Sequence, residues 1–81
     1  MSSESRQTIK HEATARALLA NNMLRLRREQ GLTQEALAFN AGLHRTFIAH
    51  VEQQARNISI DNIERLADAL GVQTHELLMP A

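Results

Sequence analysis

This chain predicts an all-α, five-helix domain, and three observations carry that expectation. Its longer periodic segments repeat apolar residues at spacings of three and four, as in Leu19, Met23 and Leu26, and no stretch alternates as a strand does. Thr33 and Ser59 stand where helix starts need a capping oxygen, while Gly42 and Gly71 stand where helices end in a left-handed residue. Finally, 81 residues make a single domain, because splitting the chain would leave neither half able to bury a useful core.

Taken in order, residues 1–10 are polar and of mixed charge and are expected to form a flexible tail, leaving 11–81 as the folded domain. A first helix begins between positions 8 and 14 and runs to 30. Its apolar stripe of Leu19, Met23 and Leu26 faces inward, and Arg16, Asn21, Arg25 and Arg28 face outward. Arg27 lies beside the stripe, which favours a structural role.

Residues 31–52, GLTQEALAFNAGLHRTFIAHVE, organise the rest. Thr33 caps a second helix whose inner side is Ala36, Leu37 and Ala38, and Gly42 closes it. Leu43, Phe47, Ile48 and Val51 restart the period, with Ile48 and Val51 inward; Phe47 either packs under the turn or sits near a dimer axis. Ser59 caps a fourth helix with Asp61 in its first turn, and Ile60, Ile63, Leu66, Ala67 and Leu70 form its stripe. After Gly71 and an inward Val72, a short fifth helix is expected over 74–79, with Pro80 and Ala81 as the exit.

Two short helices joined by a glycine turn match the helix-turn-helix unit. With Ile48 and Val51 inward, the helical period turns Arg45, Thr46, Ala49 and His50 outward together, a small face suited to base edges in a DNA major groove. Arg45, at the helix start, can meet guanine O6 and N7 with two parallel bonds; otherwise it holds a phosphate or is solvated. Thr46 touches a thymine methyl or a phosphate, or caps the helix. His50 donates to a base or a phosphate, or is idle. The methyl group of Ala49 permits close approach. Gln34 opens the second helix, where its amide and the free backbone amides suit a phosphate, against the plainer reading of a solvated glutamine.

Composition narrows the function classes. The formal net charge is zero, unlike most DNA-binding domains, but it is polarised. Residues 16–56 carry six arginines against three glutamates, and residues 57–81 carry one arginine against four acids. Such asymmetry suffices for steering toward phosphates. Two phenylalanines are the only aromatics, which disfavours single-strand binding by base stacking. The absence of cysteine removes a disulfide framework, a thiolate nucleophile and a cysteine zinc site, and His44 and His50 do not share a helix face, so no metal or other cofactor is expected. No catalytic triad or phosphate-cradling loop is visible, which argues against an enzyme. With no long apolar run, a cytoplasmic protein is expected.

Residues 19–78 resemble the lambda-repressor-like helix-turn-helix domain of phage repressors and Cro proteins. GLTQEALA, AGLHRTFIAHVE and RNISIDNIERLADALGV are most similar to the small controller proteins of restriction-modification systems. The resemblance implies a sequence-specific, DNA-binding transcriptional regulator that acts as a homodimer on palindromic operators, activating and repressing its own gene and the endonuclease gene. It further implies an ion pair between Arg27 and Glu52, and phosphate contacts from Gln34 and from the loop bearing Gln53, Arg56 and Asn57, which is otherwise merely solvated. By similarity to activating phage repressors it implies a contact of Glu35 with RNA polymerase; otherwise Glu35 is a solvated helix-start acid. Controller proteins often have glycine where Ala49 stands and an Arg-Gly pair near Gln53 and Gln54, so readout and the following turn are expected to differ. The dimer interface is expected in the acidic C-terminal third, from Leu77, Leu78 and Met79 with Ile58 and Ile60. A prophage or toxin-antitoxin repressor shares the fold, and a protein-interaction module without DNA binding is the rival that the neutral charge supports.

Overall fold

A computed structural model describes residues 14–80. Within them are four α-helices, α1 (Ala15–Glu29), α2 (Gln34–Ala41), α3 (Arg45–Glu52) and α4 (Ile60–Leu70), followed by a 3-10 helix, Thr74–Leu78, and no strand. The expected tail at 1–10 and the first residues of the 11–81 domain lie outside the described residues, as does any helical turn before Thr14.

The last element corrects the expectation of a fifth α-helix over 74–79. It spans five residues as a 3-10 turn, and Met79 is extended, with φ −87° and ψ 148°. The cause is local. Pro80 disfavours the helical region for the residue before it and has no amide to continue a ladder. A segment this short gains little from α-helical bonding and tightens into i to i+3 bonds.

The helix starts follow the capping rule. Thr14, Thr33 and Ser59 side chains accept from the amides of Ala17, Ala36 and Asn62 at 3.0–3.1 Å. The ends are equally uniform. In α2 the amide of Leu43 donates to the carbonyl of Ala38 at 2.9 Å and that of Gly42 to Phe39 at 3.2 Å, the paired closure of a Schellman motif. Gly42 takes φ +70°, where a side chain is strained. The end of α3 repeats this closure, Ala55 to His50 at 2.8 Å and Gln54 to Val51 at 3.0 Å, yet its left-handed position is Gln54 at φ +61°.

One core joins the elements. Leu19 and Met23 of α1, Leu37 and Ala38 of α2, Ile48 and Val51 of α3, Leu66 and Leu70 of α4 and Leu77 of the 3-10 helix are all at most 3% exposed. Burying each large side chain contributes about 1.5–3 kcal/mol. α1 packs on α3, α4 and the 3-10 helix, and α2 packs on α3 and α4.

Two expectations fail here. Ile60 is not part of the α4 stripe but 77% exposed, because it is the first helical residue after the Ser59 cap and lies beyond the core. Leu77 is fully buried in its own domain, so it cannot present itself to a second copy. Conversely, Asn22 is only 2% exposed. Its Nδ2 donates to the carbonyls of Leu77 at 2.9 Å and Met79 at 2.8 Å, fastening the C-terminal segment to α1.

Candidate nucleic-acid interface

The α2–α3 pair is held by a buried carboxylate. Arg27 Nε donates to Glu52 Oε2 at 2.8 Å and Arg27 Nη2 to Glu52 Oε1 at 3.1 Å, while Arg27 Nη1 donates to the carbonyl of Leu32 at 2.9 Å. Gln34 Nε2 adds a third bond to the carboxylate, on Oε1 at 2.9 Å. The Arg27 and Glu52 side chains are 13% and 6% exposed, so the fork is shielded from water. One group therefore ties the end of α1, the first residue of α2 and the last residue of α3. That fixes the roll of α3 about its axis.

With that roll set, Arg45 and Thr46 are exposed at the start of α3, and Ala49 and His50 are half-buried one turn on. The outward face is thus graded rather than uniform. The cap of α3 is His44, whose Nδ1 accepts from the amide of Thr46 at 3.4 Å, a long bond. Thr46 does not cap the helix, and its side chain is exposed. His50 departs from a fully outward placement: its Nδ1 is buried without a hydrogen-bond partner among the described residues. Only the Nε2 edge of that ring is left to serve a ligand.

The phosphate candidates divide. Gln34 uses one side-chain N–H on Glu52, which leaves its second N–H and the uncapped backbone amides at the start of α2 as the donors for a phosphate. Gln53, Arg56 and Asn57 are exposed in the loop between α3 and α4. Arg56 lies over the Phe47 ring, 5.6 Å from its centroid, and Arg16 donates to Asn57 Oδ1. Phe47 itself is half-buried against the core.

Sequence reasoning missed Asn22, the bond of the outward Arg16 to Asn57 and the capping role of His44. Asn22 carried a readable signal, since it lies three after Leu19 and next to Met23 on the inner side of α1. It also passed over Phe39, 86% exposed and one helical turn beyond the exposed Glu35. Among the described residues no three histidine, cysteine or acidic side chains cluster as a metal site, and no helix is long and apolar enough to cross a membrane.

Residues 23–77, the span from the buried Met23 to the buried Leu77, match the model of the helix-turn-helix family. The chain belongs to that family. It is 46% identical over 69 residues to a hypothetical transcription factor of Neisseria meningitidis serogroup B, covering 85% of this chain and 65% of that relative. A crystal structure of a hypothetical transcription factor from Neisseria superposes with a TM-score of 0.83 at 44% identity, over 90% of this chain and 84% of the other. Control protein C.BamHI of Bacillus amyloliquefaciens is 50% identical over 50 residues, 62% of each chain. The restriction-modification controller protein C.Esp1396I, solved as a tetramer with its natural 35 base-pair operator, superposes with a TM-score of 0.74 at 31% identity, over 83% of this chain and 92% of that one. Both C.BamHI and C.Esp1396I are such control or controller proteins. The present chain spans a little under two thirds of the length of the two sequence relatives, 65% and 62%.

Proposed function

We propose that this chain is a sequence-specific DNA-binding transcriptional regulator, not an enzyme, and that it acts as a dimer on palindromic operators. The observation that carries this reading is the exposure of Arg45 and Thr46 together at the start of a second helix whose orientation is locked by Arg27, Glu52 and Gln34. A rigidly held helix presenting a guanidinium fork and a hydroxyl fits direct readout in the major groove. Ala49 lets the helix approach, and His50 offers its Nε2. Backbone amides at the start of α2, with Gln34, and the exposed Gln53, Arg56 and Asn57 hold phosphates on either side.

One recognition helix reads few base pairs, so specificity favours a symmetric pair. Its interface is formed by Ile58, Ile60, Leu78 and Met79, of which Ile60 is 77% and Met79 48% exposed. Similarity to controller proteins supports the finer reading that the dimer activates and then represses its own gene and an endonuclease gene. Glu35 with Phe39 is the surface that meets RNA polymerase, because the two are exposed one turn apart on the outer face of α2.

Selection of bound sequences from random duplex DNA by the unmodified chain tests this. A palindrome with half-sites about 34–36 Å apart is expected. No enrichment at low salt would replace the reading with a protein-interaction module.

A further inference from the structure

One concavity lies outside the base-reading face, lined in part by Arg56 and Asn57 of the proposed phosphate loop and by Ile58 and Leu78 of the proposed dimer interface. Its volume is about 320 Å³, and none of Arg45, Thr46, Ala49 or His50 lines it. Its floor is apolar, from Leu19, Val51, Ile63 and Leu78, and Arg16 and Arg56 border it with no acidic side chain among the described lining residues. Its size is at the lower end for small-molecule sites, about 300–1,000 Å³, and its pattern is theirs: an apolar body with few convergent polar groups.

We propose that this cavity binds a small amphipathic anion, a straight-chain carboxylate of medium length, with its tail on the apolar floor and its head group on Arg16 and Arg56. Two guanidinium groups with no competing carboxylate among the described lining residues make an anion the complementary head, and a planar carboxylate matches the guanidinium fork. Both arginines are steadied, Arg56 over Phe47 at 5.6 Å and Arg16 by its bond to Asn57 Oδ1. The site spans the start of α1, the last turn of α3, the following loop and the C-terminal segment, so its occupant contacts the parts that set loop position. Its regulatory consequence rests on the proposed DNA-binding function: a carboxylate on Arg56 competes with an operator phosphate for that guanidinium and weakens operator binding.

The test is a methyl NMR titration of the full chain, without DNA, with octanoate, butyrate and 1-octanol as probes. Saturable shifts at Ile58, Ile63 and Leu78 are expected with octanoate at about 0.1–1 mM. Each buried methylene is worth about fourfold in affinity, so butyrate, about four methylenes shorter, should bind about 250-fold more weakly. Loss of the charged head should cost 1-octanol about tenfold. Arg16→Gln should weaken octanoate about tenfold, and Ala15→Leu, which narrows the mouth without touching the core, should weaken it too. No saturable response, equal affinity for octanoate and 1-octanol, or an unchanged Arg16→Gln would each overturn the site. Octanoate binding in a chain that binds no duplex DNA would support the site while overturning the DNA-binding function.

Discussion

Gln34 donates its side-chain amide to Glu52 at 2.9 Å, placing the first residue of α2 on the same carboxylate that receives Arg27. Helix α2 is thereby set against α3 from within the domain, and its leading backbone amides keep one direction.

Removing that carboxylate should be costly. Glu52→Ala leaves Arg27 buried and unpaired and should destabilise the domain by about 3 kcal/mol. In a domain of this size that lowers the melting temperature by about 12–24 °C, read by circular dichroism. Gln34→Ala removes one neutral donor and should cost about 1 kcal/mol. A Glu52→Ala chain that melts with the unmodified one would show that the pair contributes nothing.

The α3 end offers a stabilising change. Gln54 sits at φ +61° in a closure that glycine fills at the ends of the other three α-helices, Gly31, Gly42 and Gly71. Gln54→Gly should stabilise by about 1 kcal/mol, seen as a higher urea midpoint with unchanged slope. Gln54→Ala should gain nothing, since alanine meets the same steric cost.

The C-terminal segment separates folding from assembly. Leu77→Ala should destabilise by about 2–5 kcal/mol, as a buried core truncation does. Ile60→Ala and Met79→Ala should leave monomer stability within about 0.5 kcal/mol but weaken dimerisation in sedimentation equilibrium. Equal dimer affinity in both exposed-site variants would remove Ile60 and Met79 from the interface.

Asn22 links these two regions. Asn22→Ala leaves the carbonyls of Leu77 and Met79 without their donor and should cost about 1–3 kcal/mol. Because it also frees Leu78 and Met79, the dimer should weaken beyond what lost stability alone explains. Hydrogen exchange in the last ten residues, faster in the variant with α2 and α3 unchanged, checks the local effect.

Much of this architecture was legible in the chain, and the reason differs by element. Caps at Thr33 and Ser59 and the end at Gly42 depend on local backbone chemistry, which a sequence carries directly. The α3 period separated the buried Ile48 and Val51 from the exposed Arg45 and Thr46, because packing follows the helical repeat. What failed depended on where an element meets its neighbours. Ile60 shares the α4 period but precedes the first turn that reaches the core. Leu77 and Leu78 are adjacent apolar residues, and only the path of the 3-10 turn decides which is buried. Asn22 is invisible to an apolar count because its burial is offset by carbonyls more than fifty residues away. The half-burial of His50 and the bond from Gln34 to Glu52 likewise depend on interhelix geometry.

The central claim, that Arg45 on a locked α3 reads a base, is tested most directly by repeating the selection from random duplex DNA with Arg45→Ala at the same salt. The account predicts a palindrome for the unmodified chain that relaxes at one symmetric position in the variant, with discrimination there falling by about 1–3 kcal/mol. An identical preference from both chains would contradict it, leaving Arg45 a phosphate contact or a solvated charge.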